Sequence, residues 1–235
     1  MSYLNFFFFG IYPYIAAAVF LVGSLVRFDY QPYTWKSGSS QFLRQRGMFF
    51  ASNAFHIGII LLLLGHAVGL LTPHGLYTAF GLSAETKQVL AMTAGGIFGT
   101  LCLLGMVILV HRRLTDDRVV AAGSTMDTFI LLLLLVQLVI GLLTIPASAS
   151  HHDATVMLVL AEWAQRIVTF RGGAAELVAG TDMVFQIHLV LGLTIVLLAP
   201  FSRLVHVWSA PLSYLVRRYQ LVRSRYRGAS RVRAG

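Results

Sequence analysis

The sequence predicts an all-α integral membrane protein with five transmembrane helices, on the evidence of its composition, its long apolar runs and its basic loops. Of its 235 residues, 57% are hydrophobic and only 11% are charged, and the mean hydropathy is +0.75. Soluble domains carry about 25% charged residues. A chain with so few charges cannot cover itself with a soluble surface, so its composition places it in the membrane class.

Five apolar runs are long enough to cross a bilayer, which takes about 20 residues each. Residues 124–127 form a capping-box pattern that predicts the start of the fourth span, and Pro146 predicts its end. The five predicted spans are residues 6–26, 49–71, 89–110, 126–145 and 183–205.

The basic residues predict the orientation of these spans. All but three of the 18 basic residues follow the first, third or fifth span, on one side of the membrane. Short loops rich in Lys and Arg stay in the cytoplasm, so we expect a periplasmic N-terminus and a cytoplasmic C-terminus. The three exceptions are Lys87, Arg166 and Arg171.

Two further segments lie outside the predicted spans. Residues 155–170 have the apolar spacing of an amphipathic helix, which either lies on the outer membrane surface or packs on the ends of its neighbours. The chain divides into a membrane domain, residues 1–208, and a basic cytoplasmic tail, residues 209–235, which we expect to dock soluble subunits or rest on anionic lipid. A nucleic acid is not an expected partner, because the tail is tethered at the membrane and carries no binding motif.

Four of the eight histidines belong to the second and fifth predicted helices, which run antiparallel; three fall within the spans, and His206 directly follows the fifth. An ionisable side chain inside a span is costly and usually functional, and neutral imidazole is a good ligand for haem iron. Matched by depth, His66 pairs with His188 near the outer side, and His56 pairs with His206 near the inner side. The alternative is that these histidines only form hydrogen bonds between helices.

The spacing of the four histidines does not fit two level haems between straight helices. His188 and His206 are about 27 Å apart along a continuous helix, whereas His56 and His66 are about 15 Å apart. We therefore expect tilted haems or a bend at Pro200.

Other residues of the spans refine the hypothesis of a haem protein. The lone cysteine, Cys102, excludes an internal disulfide, and the sequence has no motif for covalent haem attachment. Lys87 is either a lysine that extends to the membrane interface or a hydrogen-bond donor to a quinone beside the outer haem. Small residues near the histidines leave room for a flat macrocycle: Gly58, Gly65, Gly69 and Gly192.

From the N-terminus to about residue 223, the sequence resembles the gamma subunit, or cytochrome b subunit, of membrane-bound respiratory nitrate reductase. The last residues, 224–235, extend beyond the resemblance. The stretches that carry it are residues 5–15 (NFFFFGIYPYI), 51–58 (ASNAFHIG), 65–66 (GH), 71–74 (LTPH), 87–88 (KQ), 94–96 (AGG), 141–146 (GLLTIP), 188–192 (HLVLG), 200–206 (PFSRLVH) and 219–223 (YQLVR).

The resemblance implies a dihaem cytochrome b of the bacterial inner membrane that oxidises quinol, either menaquinol or ubiquinol. It implies a distal haem b on His66 and His188, a proximal haem b on His56 and His206, and a quinol site at Gly65, His66 and Lys87. The implied partners are an iron–sulfur beta subunit and a molybdenum-containing alpha subunit on the cytoplasmic face, with nitrate reduced on a partner chain.

Two alternatives remain open from the sequence. One is the cytochrome b subunit of another quinone-linked complex, for example in sulfur metabolism, and the other is a haem-free membrane anchor. If it binds haem, the candidate partners of the inner haem propionates are Arg44, Arg112 and Arg203.

Overall fold

The computed structural model describes residues 2–35, 47–150 and 153–207, and every regular element in these ranges is a helix. Five of these helices are long and apolar enough to cross a membrane, which confirms the predicted fold class. They are α1 (Tyr3–Tyr30, with a π-helical turn at Phe7–Ile11), α2 (Met48–Leu71), α4 (Ala84–Thr115), α6 (Thr125–Ala149) and α9 (Met183–Leu198).

Short elements connect the spanning helices. Arg44 and the predicted tail, residues 209–235, lie outside the described residues, so the expectations for them remain predictions. The short helices are α3 (His74–Ala79), α5 (Asp117–Ala121), α7 (Thr155–Val168) and α8 (Ala174–Ala179), with 3-10 turns at Pro32–Thr34, Ala199–Phe201 and Arg203–Val207.

The start of α6 is as predicted, but its end is not. Ser124 and Asp127 form the capping box, each side chain accepting a bond from the other residue's backbone N–H at 3.1 Å. The helix continues past Pro146 to Ala149, so the prediction that this proline ends it is wrong. Membrane helices tolerate an internal proline, and the last turn of α6 is supported from outside, because Gln88 of α4 donates to the Ser148 carbonyl at 2.8 Å.

Helix α9 is shorter than predicted because the chain breaks at Pro200. The helix ends at Leu198, a 3-10 turn follows, and Ser202 has an extended backbone (φ −123°, ψ −179°). The expected bend at Pro200 is confirmed. The predicted fifth span, residues 183–205, is therefore not one continuous helix, because proline lacks the N–H that would continue it.

Each spanning helix packs on one or two others in the bundle. Helix α2 packs on α4, α4 on α6, α6 on α9, and α9 on α1. In the part of the chain that the structure describes, α2 and α9 make at most a marginal backbone contact with each other. Helices α2 and α9, which carry His56, His66 and His188, therefore do not pack on each other along their length.

The contact between α2 and α4 depends on two glycines. A Cβ atom on Gly58 would lie 2.6 Å from the Cβ of Cys102, and one on Gly105 would lie 2.5 Å from the backbone nitrogen of Phe55. Small residues allow membrane helices to approach this closely. Gly58 therefore serves helix packing, and the expectation that it leaves room for a macrocycle is wrong.

Helix α7 packs on the ends of the spanning helices, which decides between the two predicted positions. Its buried Trp163 donates from Nε1 to the Phe9 carbonyl at 2.9 Å, and Gln165 donates to the Leu70 carbonyl at 3.0 Å. Tyr14 of α1 in turn donates to the Ile167 carbonyl at 3.2 Å. These bonds place the start of α1 and the end of α2 at one end of the bundle.

The other end of the bundle carries arginines, and we call it the arginine end, defined by Arg27, Arg113 and Arg203. Arg113 is buried there and donates to Thr128, to the carbonyls of Val119 and Ser124, and forms an ion pair with Asp127 at 3.5 Å. This arrangement holds the connection between α4 and α6 against the bundle.

Replacing Gly105 with Ala tests the close approach of α2 and α4. The new methyl group meets backbone atoms that cannot rotate away, so we expect the free energy of unfolding of the protein to fall by about 1–3 kcal/mol. Gly95→Ala, where a Cβ meets nothing within 4 Å, is the matched control on the same helix. Thermal unfolding of the detergent-solubilised protein measures both, and equal midpoints for the two variants would contradict the packing described.

Candidate functional site

The four histidines lie in two levels along the bundle. His66 on α2 and His188 on α9 lie toward the end that contacts α7, while His56 on α2 and His206 after α9 lie toward the arginine end. Helices α2 and α9 run antiparallel, because the end of α2 and the start of α9 share one end of the bundle. The members of each predicted pair thus lie toward the same end of the bundle.

Three of the imidazoles have their Nδ1 atom committed to a backbone carbonyl. His56 Nδ1 lies 2.7 Å from the Ser52 carbonyl, His66 Nδ1 lies 2.7 Å from the Leu62 carbonyl, and His206 Nδ1 lies 2.6 Å from the Arg203 carbonyl. A carbonyl oxygen can only accept, so each Nδ1 carries the proton and Nε2 keeps its lone pair when the ring is neutral. Metal-binding histidines commonly use a backbone carbonyl in this way to fix the tautomer and orient the ring.

The rings of His66 and His188 face each other across the bundle. Their centroids are 6.1 Å apart and their planes are inclined by 38°. When two imidazoles bind one metal from opposite sides, each nitrogen–metal bond is about 2 Å long. Adding the distance from each nitrogen to its ring centre places the two centroids about 6 Å apart. The separation of this pair therefore fits axial ligation of one iron atom.

The surroundings of His188 come from α6. A Cβ atom on Gly141 would lie 2.8 Å from Cε1 of the His188 ring, so this glycine makes room for the imidazole. Gln137 donates from Nε2 to the His188 carbonyl at 3.1 Å, and its amide nitrogen lies 3.5 Å from Nε2 of the ring. The buried Nδ1 of His188 has no hydrogen-bond partner in the described part of the chain, so one ring nitrogen still requires a partner.

The two histidines of the predicted inner pair, His56 and His206, differ in their surroundings. His56 is exposed on α2, with Ser52 Oγ also 3.3 Å from its Nδ1, and His206 is half-buried in the 3-10 turn after Ser202. Their shared level and their similar Nδ1 bonds are compatible with one site, and their pairing stays a prediction.

The remaining glycines expected near a macrocycle differ in what surrounds them. A Cβ atom on Gly65 or Gly69 would meet nothing within 4 Å, so open space lies beside His66. A Cβ atom on Gly192 would lie 3.2 Å from the amide nitrogen of Gln137. Gly65 and Gly69 therefore lie in open space on α2, whereas Gly192 is packed against α6.

Lys87 is buried near the start of α4, with only 8% of its surface exposed. Its ammonium lies over the ring of the buried Tyr77, 4.1 Å from the centroid, in a cation–π contact. Burial, reinforced by the negative charge of Glu85, raises the pKa of the Tyr77 hydroxyl. Among the described residues, no salt bridge or hydrogen bond to the ammonium is seen. A lysine that reaches for water would expose its charge, so this burial disfavours the interfacial interpretation.

Two of the three candidate propionate partners lie at the arginine end. Arg112 is buried at the end of α4, and Arg203 is half-buried just after the break in α9. Burial lowers the pKa of Arg203, and the nearby Asp127 opposes this effect while Arg113 adds to it. The third candidate, Arg44, lies outside the described residues.

Sequence reasoning missed three residues that support the histidines. Gln137 could have been found, because it is an isolated amide within the apolar fourth span. Gly141 gave no signal of its contact with His188. Arg27 was counted only as a loop charge, yet it donates to the carbonyls of Pro200 and Ser202 at 2.7 and 2.8 Å.

The side chains that could bind a metal come in pairs of histidines, which suits a metal that takes two protein ligands. In the described ranges, no group of three or more His, Cys, Asp or Glu side chains comes together. A zinc site needs such a group, because a structural zinc ion takes four protein ligands. A haem takes only axial ligands from the protein, so two facing imidazoles suffice.

Comparison with known proteins gives one consistent result. The family model described as nitrate reductase gamma subunit matches residues 5–225. The chain is 55% identical over 226 residues to the respiratory nitrate reductase 1 gamma chain of Escherichia coli, covering 96% of this chain and 100% of that one. It is also 55% identical to the respiratory nitrate reductase 2 gamma chain of the same organism, over 96% of this chain and 99% of that one. The nitrate reductase gamma chain of Bacillus subtilis is 36% identical, over 92% and 96% of the two chains.

Replacing Gly141 with Ala tests the position of the His188 ring. The new methyl group displaces the imidazole from its place against α6, so we expect any metal group held by His188 and His66 to be retained about tenfold less tightly. Haem content and visible absorbance of the purified protein measure this. Gly95→Ala serves as control, and a Gly141→Ala spectrum identical to that of the control would show that the ring does not depend on this glycine.

Proposed function

The chain belongs to the nitrate reductase gamma subunit family, and from that premise we propose that it is a dihaem cytochrome b that oxidises quinol and passes the electrons to its partners. As a family member, it is the multi-pass membrane-anchor subunit of respiratory nitrate reductase in the bacterial inner membrane. The observation that carries the proposal is the facing pair His66 and His188, whose centroids are 6.1 Å apart.

His66 and His188 would hold the distal haem b, and His56 and His206 would hold the proximal one. Bound there, the two haems would supply one-electron carriers in series from one end of the bundle to the other. The Nδ1 bonds to backbone carbonyls keep Nε2 of His56, His66 and His206 available as ligands. A macrocycle between α2 and α9 would also cover His56 and His66, which are exposed on α2.

The proposed quinol site lies beside the outer pair and consists of Gly65, His66 and Lys87. Gly65 borders open space, and the buried ammonium of Lys87 is held over Tyr77. A buried cation that lacks a carboxylate partner is costly, and a quinol oxygen would supply the missing hydrogen-bond acceptor. In this proposal, Lys87 binds and orients the quinol, and the protons of the quinol leave on the periplasmic side.

The arginine end would face the cytoplasm, where the positive-inside rule places it. Electrons would leave the inner site there to an iron–sulfur beta subunit, and a molybdenum-containing alpha subunit would reduce nitrate. Arg112 and Arg203 lie at this end and would pair with the propionates of the inner haem. The basic tail, residues 209–235, would add a docking segment for the soluble subunits.

Replacing His66 with Tyr tests the outer haem site. Tyrosine has no ring nitrogen and binds iron only as an anionic phenolate on a longer side chain, so we expect one haem per chain in place of two, and loss of quinol-dependent nitrate reduction. Haem content per chain and quinol oxidation by the purified complex measure these effects. His111→Tyr, which alters an exposed histidine outside the two pairs, is the control. Two haems and normal activity in His66→Tyr would reject the assigned pair.

Replacing Lys87 with Ala tests the quinol site separately from the haem sites. A hydrogen bond from a charged group contributes about 1.5–3 kcal/mol, so we expect a quinone-analogue inhibitor to bind about tenfold or more weakly. Both haems should remain, because the variant leaves every proposed ligand in place. Arg171→Ala removes an exposed cation at the same end of the bundle and serves as the control. Unchanged inhibitor binding in Lys87→Ala would show that this lysine is not part of the quinol site.

A further inference from the structure

The break in α9 leaves backbone groups that the helix no longer satisfies. After Leu198 the chain passes through a 3-10 turn and an extended Ser202 before the turn that carries His206. The last carbonyls of a helix have no partner within it, and near the hydrocarbon region water does not readily supply one. The direction of the chain after the break is therefore set by whatever binds these carbonyls.

Arg27 of α1 binds two carbonyls of the segment after α9, one in the 3-10 turn and one in the extended residue that follows it. Its Nη1 atom donates to the Pro200 carbonyl at 2.7 Å and to the Ser202 carbonyl at 2.8 Å. Its other nitrogens are also engaged, since Nη2 donates to the Thr34 carbonyl at 3.0 Å and Nε donates to Thr34 Oγ1 at 3.2 Å. The planar guanidinium thus joins α1, the turn after α1 and both sides of the break.

The approach of α1 to the break depends on the same face of α1. A Cβ atom on Gly23, one turn before Arg27, would lie 3.0 Å from the Cβ of Pro200. Beyond Ser202, the hydroxyl of that residue accepts from the Leu204 backbone N–H at 3.2 Å and starts the turn. His206 lies in this turn, and its Nδ1 is bound to the Arg203 carbonyl within the turn.

We propose that Arg27 is a positioning residue for His206 and thereby fixes the geometry of the inner haem ligand. This inference rests on the proposed role of His206 as a haem ligand. Arg27 acts through the backbone: it fixes Pro200 and Ser202, these fix the start of the turn, and the turn holds the imidazole of His206. A lysine at this position carries the charge but lacks the planar fork that reaches both carbonyls and Thr34.

The test compares Arg27→Met, Arg27→Lys and Arg118→Met in the intact complex. Methionine keeps the apolar stem and removes all donors, whereas Arg118 is an exposed arginine at the same end and controls for loss of charge. We expect Arg27→Met to change the redox midpoint and the low-spin EPR signal of the inner haem, and to weaken its retention about tenfold. The outer haem should keep its signals, and Arg27→Lys should recover part of the inner one.

Two results would overturn the proposal. One is that both haems of Arg27→Met match those of Arg118→Met in midpoint, EPR signal and content. The other is that both haems are lost to the same extent, which would give Arg27 a general role in stability. Thr34→Val is the milder second variant, because it removes the hydroxyl that accepts from Arg27 Nε and donates to the Gln31 carbonyl but leaves the guanidinium in place, and it should shift the inner haem alone.

A parallel variant separates this inference from the proposed function. His206→Ala should abolish the inner haem if His206 is its ligand. An intact inner haem in His206→Ala would reject the proposed ligand, whatever Arg27 does. Loss of the inner haem in His206→Ala, with no effect in Arg27→Met, would reject only the positioning role of Arg27.

Discussion

The structure depends on one constraint: the hydrocarbon interior of a bilayer offers no hydrogen-bond partner, so the chain must satisfy its own polar groups. The helices satisfy most of the backbone. Where the regular pattern fails, specific side chains compensate, as Gln88 does beyond Pro146 and Arg27 does at the break in α9. The same constraint makes Lys87 and Nδ1 of His188 informative. In the described part of the chain, the ammonium of the buried Lys87 lies over the ring of Tyr77 without a salt bridge, and the buried Nδ1 of His188 has no hydrogen-bond partner.

This constraint also links the two levels of the bundle. Carbonyl acceptors on α2 hold His56 and His66 with their Nε2 atoms available. On the other side of the site, α6 supports His188 through Gln137 and Gly141, while α1 supports the turn of His206 through Arg27. Each proposed haem would therefore have one ligand on α2, and its second ligand would be held by a different neighbouring helix. Substitutions in α6 and α1 should accordingly affect the two haems separately.

Much of the fold was predictable from the sequence, because the length and apolarity of the spans determine it directly. The capping box at Ser124 and the bend at Pro200 also follow from local rules. The end of α6 did not, because the bond from Gln88 that supports its last turn comes from a distant part of the chain. For the same reason the sequence assigned Gly58 to a haem cavity: only the packed structure shows that Cys102 lies against it.

The candidate site was predictable in part. The four histidines and their levels follow from helix periodicity and depth, and the structure places His66 against His188. The contacts of Lys87 with Tyr77, and of Arg27 with Pro200 and Ser202, required the three-dimensional arrangement. Residues that act on a site through a neighbour leave no periodic pattern in the sequence.

The most direct test of the account is the haem content of the chain purified with its natural partners from haem-replete cells. Pyridine haemochrome absorbance, divided by the amount of this chain, gives the number of b-type haems. The account predicts two haems per chain, with two resolved steps in a redox titration. A colourless preparation, or one haem per chain with a single step, would contradict the two pairs of histidine ligands on which the proposed electron path depends.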